Sequence, residues 1–343
     1  CTIYNYCLSL AYKSIKMATN IKRIAVLTSG GDAPGMNAAI RAVVRASIFN
    51  NLEVYGVMRG YEGLINGDIV PMVSNSVSNI IQRGGTILKS ARSEKFRTLE
   101  GRQQAFDNLK KFDIDAVVCI GGDGTFSGAL QFNKEHDLPF IGIPGTIDCD
   151  LYGTDYTLGF DTALNTAVES IDRIRDTADS HDRLFFVEVM GRDAGFIALY
   201  SGIAGGAESI LIPESITDAD QLMTTLEKGY QRKKSSMIVV VAEGEDSGGA
   251  YKVAEKVKAK FDHFDIRVSI LGHIQRGGSP SCADRVLGSR MGIAAVESLL
   301  AGKREVMVGI INNEVVLTSF HKAVKHNQEI DLNIMRMVEI LSA

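Results

Sequence analysis

The sequence contains no tryptophan, only six prolines and only five cysteines among its 343 residues. Scattered thiols without CxxC or metal-ligand spacing predict a reducing, cytoplasmic compartment and argue against a disulfide-stapled scaffold. No apolar run reaches the ~18 residues that a membrane-spanning helix needs, so the sequence predicts no membrane partner. The five cysteines are Cys1, Cys7, Cys119, Cys149 and Cys282.

An excess of charge of one sign is also lacking. Lys and Arg number 37 and Asp and Glu number 41, which gives a formal net charge of −4. Such a balance provides no electrostatic reason to bind nucleic acid or a membrane surface. Hydrophobic residues make up 45% of the chain, enough for a large core and roughly two domains.

The first residues carry no targeting pattern. Residues 1–16 contain no strong apolar segment followed by a cleavage site, so we expect no signal peptide. We expect Met17 to be the natural start and residues 1–20 to be a disordered N-terminal extension outside the fold.

Two common phosphate-binding motifs are missing, because neither GxxxxGK[ST] nor a correctly spaced GxGxxG occurs. Glycine itself is abundant, with 34 residues, and three apolar runs lead into glycine turns that carry aspartate, within residues 24–32, 116–125 and 140–150. Glycines let the backbone approach a bulky anion and direct N–H groups at it. Carboxylates beside such turns hold Mg²⁺ or accept a proton. Together the three turns predict transfer of a phosphoryl group.

Short β-rich runs alternate with amphipathic helical patterns from Ile21 onward. Near-continuous apolar strands between helices predict an α/β fold with mainly parallel sheets covered on both faces. The active site of such a fold lies at the carboxyl ends of the strands. The predicted strands are Ile24–Leu27, Val54–Val57, Ala116–Ile120, Phe140–Ile143, Leu184–Val189, Ile210–Ile212, Met237–Ala242 and Val306–Ile311. The predicted helices are Asn37–Phe49, Arg102–Lys111, Thr162–Ala178, Leu222–Tyr230, Val253–Phe261 and Ala283–Leu300.

Five segments, taken together, resemble one enzyme family. They are residues 28–37 (TSGGDAPGMN), 121–125 (GGDGT), 144–148 (PGTID), 189–192 (VMGR) and 272–278 (GHIQRGG). The GGDGT segment alone also occurs in NAD kinases and diacylglycerol kinases. In this order and spacing, however, the five resemble the ATP-dependent 6-phosphofructokinases of the short, bacterial type.

The resemblance implies two Rossmann-like three-layer domains with the active site in the cleft between them. The expected ATP-binding domain takes residues 21–158 plus 275–325. The expected sugar-phosphate-binding domain takes residues 159–274 plus 326–343. The boundary near residues 158–159 is only weakly marked in the sequence.

The resemblance implies transfer of the γ-phosphoryl group of ATP to the 1-hydroxyl of fructose 6-phosphate, a step of glycolysis. Asp148 matches the base of the family, Asp150 supports the local negative field, and Asp123 resembles the Mg²⁺ carboxylate. The residues that match those stabilising the transferring group are Gly31, Thr146 and Arg192. The expected ATP contacts are Gly31, Tyr61, Arg92, Ser93, Gly122, Asp123, Gly124 and Thr125, with Arg97 as a weaker candidate.

The resemblance also assigns a sugar-phosphate site. Its cations fit a 6-phosphate group because guanidinium forks match phosphate geometry. In the family, the positions of Arg183 and Arg267 reach in from a neighbouring subunit, which implies a homotetramer with shared active sites. The expected substrate contacts are Thr146, Ile147, Asp148, Arg183, Met190, Gly191, Arg192, Glu243, Arg267, His273, Ile274, Gln275 and Arg276.

An effector site for ADP or phosphoenolpyruvate is a further implication of the resemblance. A basic residue expected near Ser74 is missing, and Ser235 and Ser236 replace more polar or basic neighbours, which predicts weakened effector binding. A solvated face of scattered cations is the alternative reading. The matching positions are Arg41, Arg45, Arg175, Gly206, Glu208, Arg232 and Lys234.

Two glycines bear on the phosphoryl donor, and one cysteine departs from the family pattern. Gly124 and Gly145 favour ATP, because pyrophosphate-dependent relatives carry Asp and Lys at these places. Cys149 stands where Asn is usual, and its flanking carboxylates should disfavour a thiolate.

Three alternatives to this reading stay open. They are a pyrophosphate-dependent relative, a lipid or NAD kinase, and a catalytically inactive metabolite-binding subunit. A lipid or NAD kinase lacks the loop at residues 272–278, and the presence of Asp123, Asp148 and Arg192 argues against an inactive subunit.

Overall fold

The protein is described by a computed structural model that covers residues 20–215 and 219–341. The prediction of a disordered extension at residues 1–20 falls almost wholly outside the described residues and stays a prediction. Within the described residues, no helix is both long and apolar enough to cross a membrane.

Eleven strands of the described chain form two sheets, one of seven strands and one of four. The strands are β1 (Arg23–Thr28), β2 (Glu53–Val57), β3 (Ile69–Met72), β4 (Ala116–Gly121), β5 (Phe140–Pro144), β6 (Arg183–Val189), β7 (Ser209–Leu211), β8 (Ser236–Ala242), β9 (Asp265–Ile270), β10 (Val306–Ile311) and β11 (Glu314–Ser319).

The larger sheet has the order β11-β10-β5-β4-β1-β2-β3, and the smaller sheet has the order β7-β8-β6-β9. All pairs in the smaller sheet are parallel, and in the larger sheet only the outer pairs β2–β3 and β10–β11 are antiparallel. Every residue of β4 and β5 is buried, as expected for strands covered on both faces. The predicted α/β class with mainly parallel sheets is confirmed.

The helices pack on the faces of the two sheets. Their bounds are α1 (Met36–Phe49), α2 (Gly60–Asn66), α3 (Leu99–Lys111), α4 (Asp123–Asn133), α5 (Phe160–Asp179), α6 (Phe196–Ala204), α7 (Ala219–Gln231), α8 (Ala250–Lys260), α9 (Cys282–Leu300), α10 (Phe320–Lys325) and α11 (Leu332–Leu341). Short 3₁₀ turns occupy Ser74–Val77, Lys95–Arg97 and Gly272–Arg276.

Helices α1 and α9 lie against each other on one face of the larger sheet. Their closeness depends on small residues, because a Cβ added to Gly292 would stand 2.6 Å from Cβ of Ala42 and 2.8 Å from the carbonyl oxygen of Ala39. α1 begins directly after the first glycine turn, so this packing fixes the place where that turn ends.

All eight predicted strands and six predicted helices are present, with ends shifted by up to three residues. The prediction missed the strands β3, β9 and β11 and the helices α2, α4, α6, α10 and α11. The predicted domain limits are not tested by the sheet arrangement and stay a prediction.

Candidate active site

The three glycine turns meet because β1, β4 and β5 are adjacent and parallel. Their carboxyl ends border a cleft of about 660 Å³. Residues from all three turns line this cleft, together with two arginines from later in the chain. The predicted site residues in its wall are Gly31, Tyr61, Arg92, Ser93, Arg97, Gly122, Asp123, Gly124, Thr125, Thr146, Asp148, Asp150, Arg192 and Arg276.

The first glycine turn allows a close approach by an arginine. Gly30 has φ of +87°, in the left-handed region that glycine adopts without strain. A Cβ on Gly31 would lie 2.7 Å from Nη1 of Arg276, and this same Nη1 donates to the carbonyl oxygen of Asp32 at 3.2 Å. A side chain at position 31 would push the Arg276 guanidinium aside, so glycine here lets Arg276 lie against the first turn.

The second glycine turn opens the helix α4. Gly122 is the N-cap and contributes no side chain, so the first N–H groups of the helix stay accessible to an anion in the cleft. Thr125 ties this turn to the first one, because its Oγ1 donates to the carbonyl oxygen of Ser29 at 3.2 Å. The arrangement suits a polyphosphate lying across both turns.

The third turn holds the predicted base. The Asp148 side chain is only 4% exposed, and its Oδ1 is buried without a hydrogen-bond partner. Nη2 of Arg276 lies 3.8 Å from that oxygen, and the Asp148 N–H donates to Oγ1 of Thr146 at 3.2 Å. Burial raises the pKa of Asp148, although Arg276, Thr146 and Arg192 oppose the shift. A buried carboxylate with a raised pKa and one oxygen that accepts no hydrogen bond is equipped to take a proton.

Asp150 lies in the same turn and is held in a negative environment. Burial, followed by the charges of Asp148 and Asp123, raises its pKa to about 6. Across the cleft, Nη1 of Arg192 lies 3.6 Å from Oδ1 of Asp123. Arg192, which follows a strand of the smaller sheet, thus faces the carboxylate of Asp123, which follows a strand of the larger sheet.

Glu243, which the sequence predicts to contact the sugar, positions Arg192. Oε1 of Glu243 accepts hydrogen bonds from the backbone N–H groups of Gly191 at 3.3 Å and Arg192 at 2.8 Å. Arg192 itself has φ of +54°, a strained conformation for a residue with a side chain. Glu243 therefore holds the turn that presents the Arg192 guanidinium.

Cys149 separates the two aspartates and is buried. Its Sγ–H donates to the carbonyl oxygen of Asp155 at 3.6 Å, and its φ is +57°, a region in which Asn is better tolerated. Burial raises its pKa to about 12, with smaller contributions from Asp150 and Asp155. The prediction that a thiolate is disfavoured has the right direction, but burial rather than the flanking carboxylates is the main cause.

One wall of the cleft is aromatic and was largely missed from the sequence. The rings of Tyr61 and Phe96 stack at 4.0 Å between centroids, and the Tyr61 hydroxyl donates to the carbonyl oxygen of Thr125. Arg102 lines the same wall, bound to both carboxylate oxygens of Glu135 at 2.6 Å. Phe96 and Arg102 follow no glycine turn, so no signal in the sequence set them apart.

The cleft offers carboxylate oxygens that suit Mg²⁺, although the protein alone would supply only part of the ligands of the ion. Nowhere in residues 20–215 and 219–341 do three or more His, Cys, Asp or Glu side chains form a metal cluster. Mg²⁺ is commonly held by one or two carboxylates with substrate phosphates and water. The half-exposed carboxylate of Asp123, at the start of α4, matches that requirement.

The predicted sugar-phosphate residues are not all brought together. Ile147, Arg183, Met190, Gly191, Glu243, Arg267, His273, Ile274 and Gln275 lie outside the cleft wall. Arg183 and Arg267 instead share one carboxylate, because Nε of Arg183 lies 2.8 Å and Nη1 of Arg267 lies 2.5 Å from oxygens of Asp265. Within this chain, the pair stands apart from Asp148.

The predicted effector residues divide into two groups. Arg41 and Arg45 lie one turn apart on α1, beside the larger sheet. Near the smaller sheet, Nη2 of Arg175 donates to the carbonyl oxygens of Gly205 and Gly206, Nζ of Lys234 lies 2.6 Å from Oε2 of Glu208, and Arg232 follows α7.

Comparison with known proteins bears on these observations. The model of the Phosphofructokinase family matches residues 23–299. ATP-dependent 6-phosphofructokinase 2 of Bacteroides thetaiotaomicron is 56% identical over 322 residues, covering 94% of this chain and 99% of its own length. ATP-dependent 6-phosphofructokinase 1 of Thermus thermophilus is 55% identical over 324 residues, covering 94% of this chain and 100% of its own length.

Solved structures show the same fold. The phosphofructokinase of Saccharomyces cerevisiae aligns with a TM-score of 0.84 and 37% identity, covering 94% of this chain and 47% of its own, so this chain spans about half of that longer one. A pyrophosphate-dependent phosphofructokinase of Marinobacter aquaeolei aligns with a TM-score of 0.81 over 94% of this chain and 92% of its own. At 22% identity, that second likeness concerns the fold alone.

Proposed function

The chain belongs to the phosphofructokinase family, and from this premise we propose that Asp148 is the base of its reaction. The activity is that of an ATP-dependent 6-phosphofructokinase, which transfers the γ-phosphoryl group of ATP to the 1-hydroxyl of fructose 6-phosphate and releases ADP. The assignment of the base rests on the buried Oδ1 of Asp148, which accepts no hydrogen bond and lies 3.8 Å from Nη2 of Arg276, where three glycine turns meet.

Asp148 acts on the hydroxyl of the sugar. The 1-hydroxyl is a weak nucleophile until its proton is accepted. As the oxygen attacks the γ-phosphorus, its proton moves to Oδ1 of Asp148, and the bond from phosphorus to the leaving oxygen of ADP breaks. The raised pKa of Asp148 favours this transfer, because a more basic carboxylate takes the proton more readily.

The charge of the transferring group needs fixed donors. Gly31 offers its backbone N–H, Thr146 its hydroxyl and Arg192 its guanidinium. Arg192 faces Asp123 at 3.6 Å, close to where Asp123 would hold Mg²⁺. When bound, the ion supplies positive charge that screens the phosphate oxygens.

The form of Gly124 supports ATP as the donor. A Cβ at this position would meet nothing within 4 Å, so the backbone leaves open space facing the cleft. An aspartate here, as in pyrophosphate-dependent relatives, would put a carboxylate where the α-phosphate of ATP is expected. Gly145 has less room, because its Cβ would lie 3.0 Å from Met36 and Ile120.

The proposal also includes the sugar phosphate, the neighbouring subunits, the effector and the location of the protein. Fructose 6-phosphate would be held by Arg276, His273 and the cations Arg183 and Arg267 of a neighbouring subunit in a homotetramer. ADP or phosphoenolpyruvate would bind near Arg175 and Lys234 as an effector. The reducing environment predicted from the cysteines supports a cytoplasmic location.

A donor comparison with a base variant tests the assignment. With fructose 6-phosphate and Mg²⁺, the unmodified protein is expected to turn over with ATP and only weakly with pyrophosphate. Asp148→Asn keeps the shape but removes the base, so kcat should fall by at least ~10²-fold while KM for the sugar changes little. A coupled assay for fructose 1,6-bisphosphate measures both.

Asp172→Asn, at an exposed position on α5, is the matched control and should keep its activity. Efficient turnover with pyrophosphate would overturn the donor assignment. A kcat for Asp148→Asn within a few-fold of the unmodified protein would overturn the assignment of the base.

A further inference from the structure

Residues 82–90 form an irregular segment that lies between the first glycine turn and the loop at residues 272–278. We call this segment the brace. It has no helix or strand of its own. Arg92 and Ser93, which line the cleft, follow it after Ala91. The position of the brace therefore decides where these two residues stand.

The side chain of Asn37 forms hydrogen bonds with the backbone of the brace. Its side chain lies in the first turn of α1 and is 1% exposed. Nδ2 donates to the carbonyl oxygens of Arg83 at 3.0 Å and Gly84 at 3.2 Å. Oδ1 accepts from the N–H of Ile87 at 2.8 Å. One buried amide thus satisfies three backbone groups of a segment that cannot satisfy them internally.

The first glycine turn holds the other end of the brace. Oγ1 of Thr28 donates to the carbonyl oxygen of Lys89 at 2.8 Å and lies 3.0 Å from Oγ1 of Thr86. Oγ of Ser90 donates to the carbonyl oxygen of Gly30 at 2.5 Å. The brace and the first glycine turn are therefore held to each other along most of their length.

The opposite side of the brace touches the loop at residues 272–278. A Cβ on Gly84 would overlap the carbonyl oxygen of Gly278, and Oγ of Ser279 donates to the carbonyl oxygen of Gln82 at 2.8 Å. The brace is therefore held between the first glycine turn and the loop at residues 272–278. The Asn37 amide binds it on the side of the first glycine turn.

We propose that Asn37 is a positioning residue for the nucleotide, acting through the brace on Arg92 and Ser93. The inference rests on the proposed function, because it takes the cleft to be the ATP site. Asn37 touches no reacting atom. Losing its two donors would let the brace move and would displace the groups that bind the phosphates, while leaving Asp148 and Arg192 in place.

Asn37→Asp in the full chain separates this role from general stability. The variant keeps the size and one acceptor of Asn37 but turns a carboxylate oxygen toward two carbonyl oxygens. KM for ATP and the Kd for ADP should both rise about tenfold, whereas kcat at saturation should change by less than about threefold. Steady-state kinetics and calorimetric titration with ADP measure these quantities.

The pH dependence supplies a second signature. A protonated carboxyl at position 37 regains one donor, so the ratio of KM for ATP between Asn37→Asp and the unmodified protein should shrink from pH 8 to pH 6. A loss of ATP affinity that did not depend on the charge at position 37 would show no such recovery.

Asn108→Asp is the matched control. Nδ2 of Asn108 also donates to two successive carbonyl oxygens, those of Leu64 and Ile65, both at 2.9 Å, but it holds the far end of α2. Its variant should lose similar stability and keep the affinity for ADP. If Asn37→Asp fails to fold, Thr86→Val tests the same brace and should raise KM for ATP about threefold.

The outcomes are distinguishable from failure of the proposed function. An unmodified protein without turnover on ATP and fructose 6-phosphate would refute the function, while ADP titration would still report on Asn37. Unchanged ADP affinity in a folded Asn37→Asp protein, or in Thr86→Val if the first variant is unfolded, would overturn the inference.

Discussion

At the scale of single residues, the stability of the protein should depend on the charge of Asp150. Its pKa in the folded protein is about 6, against an ordinary value of 3.8. Between these values the folded protein holds a proton that the unfolded chain has released. Stability therefore falls as the pH rises through this window, and the full loss is present above pH 6.

Asp150→Asn should remove that loss. We expect the nucleotide-free variant to be more stable than the unmodified protein, by on the order of 2–3 kcal/mol at pH 8 and by less at pH 5. Urea unfolding at the two pH values in the presence of a chelator measures the gain. Asp262→Asn, at a fully exposed position, should produce no gain. A stabilisation that is equal at pH 5 and pH 8 would contradict this account.

Single residues also show what the sequence could reveal about the site. Asp148, Asp123 and Arg192 stand in short motifs, and the structure brings them to one cleft. The interaction of Glu243 with the backbone of Arg192 joins two strands of the smaller sheet and leaves no local pattern. The same holds for Arg102, whose partner Glu135 lies in the turn that follows α4.

At the scale of elements, the missed strands share a position. β3, β9 and β11 are each at an edge of a sheet. β3 buries only its two end residues, and β9 and β11 consist of half-buried and exposed residues, unlike the fully buried β4 and β5. The sequence predicted strands from continuous apolar runs, and such runs arise only where both faces of a strand are covered.

The missed helices have a different cause. α6 is apolar on almost every side and mostly buried, so it lacks the polar face that marks an amphipathic helix. α2 and α10 are shorter than two full turns, too short to show a period. α4 begins inside the second glycine turn, where glycines lower helix propensity.

Close packing of α1 and α9 should make Gly292 intolerant of a side chain. Gly292→Ala forces a methyl group to 2.6 Å from Ala42, so the helices must separate. We expect a loss of about 1–3 kcal/mol, measured as a lower urea midpoint. Ser289→Ala, on the same helix with a hydroxyl that bonds only to its own helix, should leave the midpoint nearly unchanged. A midpoint for Gly292→Ala equal to that of Ser289→Ala would contradict the packing argument.

At the scale of the whole molecule, the separation of Arg183 and Arg267 from the cleft of their own chain bears on assembly. If they serve the site of a neighbour, Arg267→Ala should raise KM for fructose 6-phosphate, because a charge-assisted contact to phosphate contributes about 1.5–3 kcal/mol. Mixing Arg267→Ala subunits with Asp148→Asn subunits should then restore activity, since a mixed interface can pair an intact base with an intact arginine.

Activity of the mixture against each parent, with subunit exchange followed by native mass spectrometry, measures this restoration. Asp148→Asn mixed with itself is the baseline. Exchange without any gain in activity would rule out a site shared between subunits. The sequence could not decide this point, because a contact between copies leaves no pattern within one copy.

The order of strands in the larger sheet also has a consequence for synthesis of the protein. β5 lies between β4 and β10, but the ribosome makes the entire smaller sheet before it reaches Val306. At ~5–20 residues per second this takes on the order of 10–30 s. Throughout that time the unpaired N–H and C=O groups of β5 form an open edge that other strands can join. A chain stalled before Val306 would carry the Asp148 turn beside that open edge, ready to pair with another nascent chain.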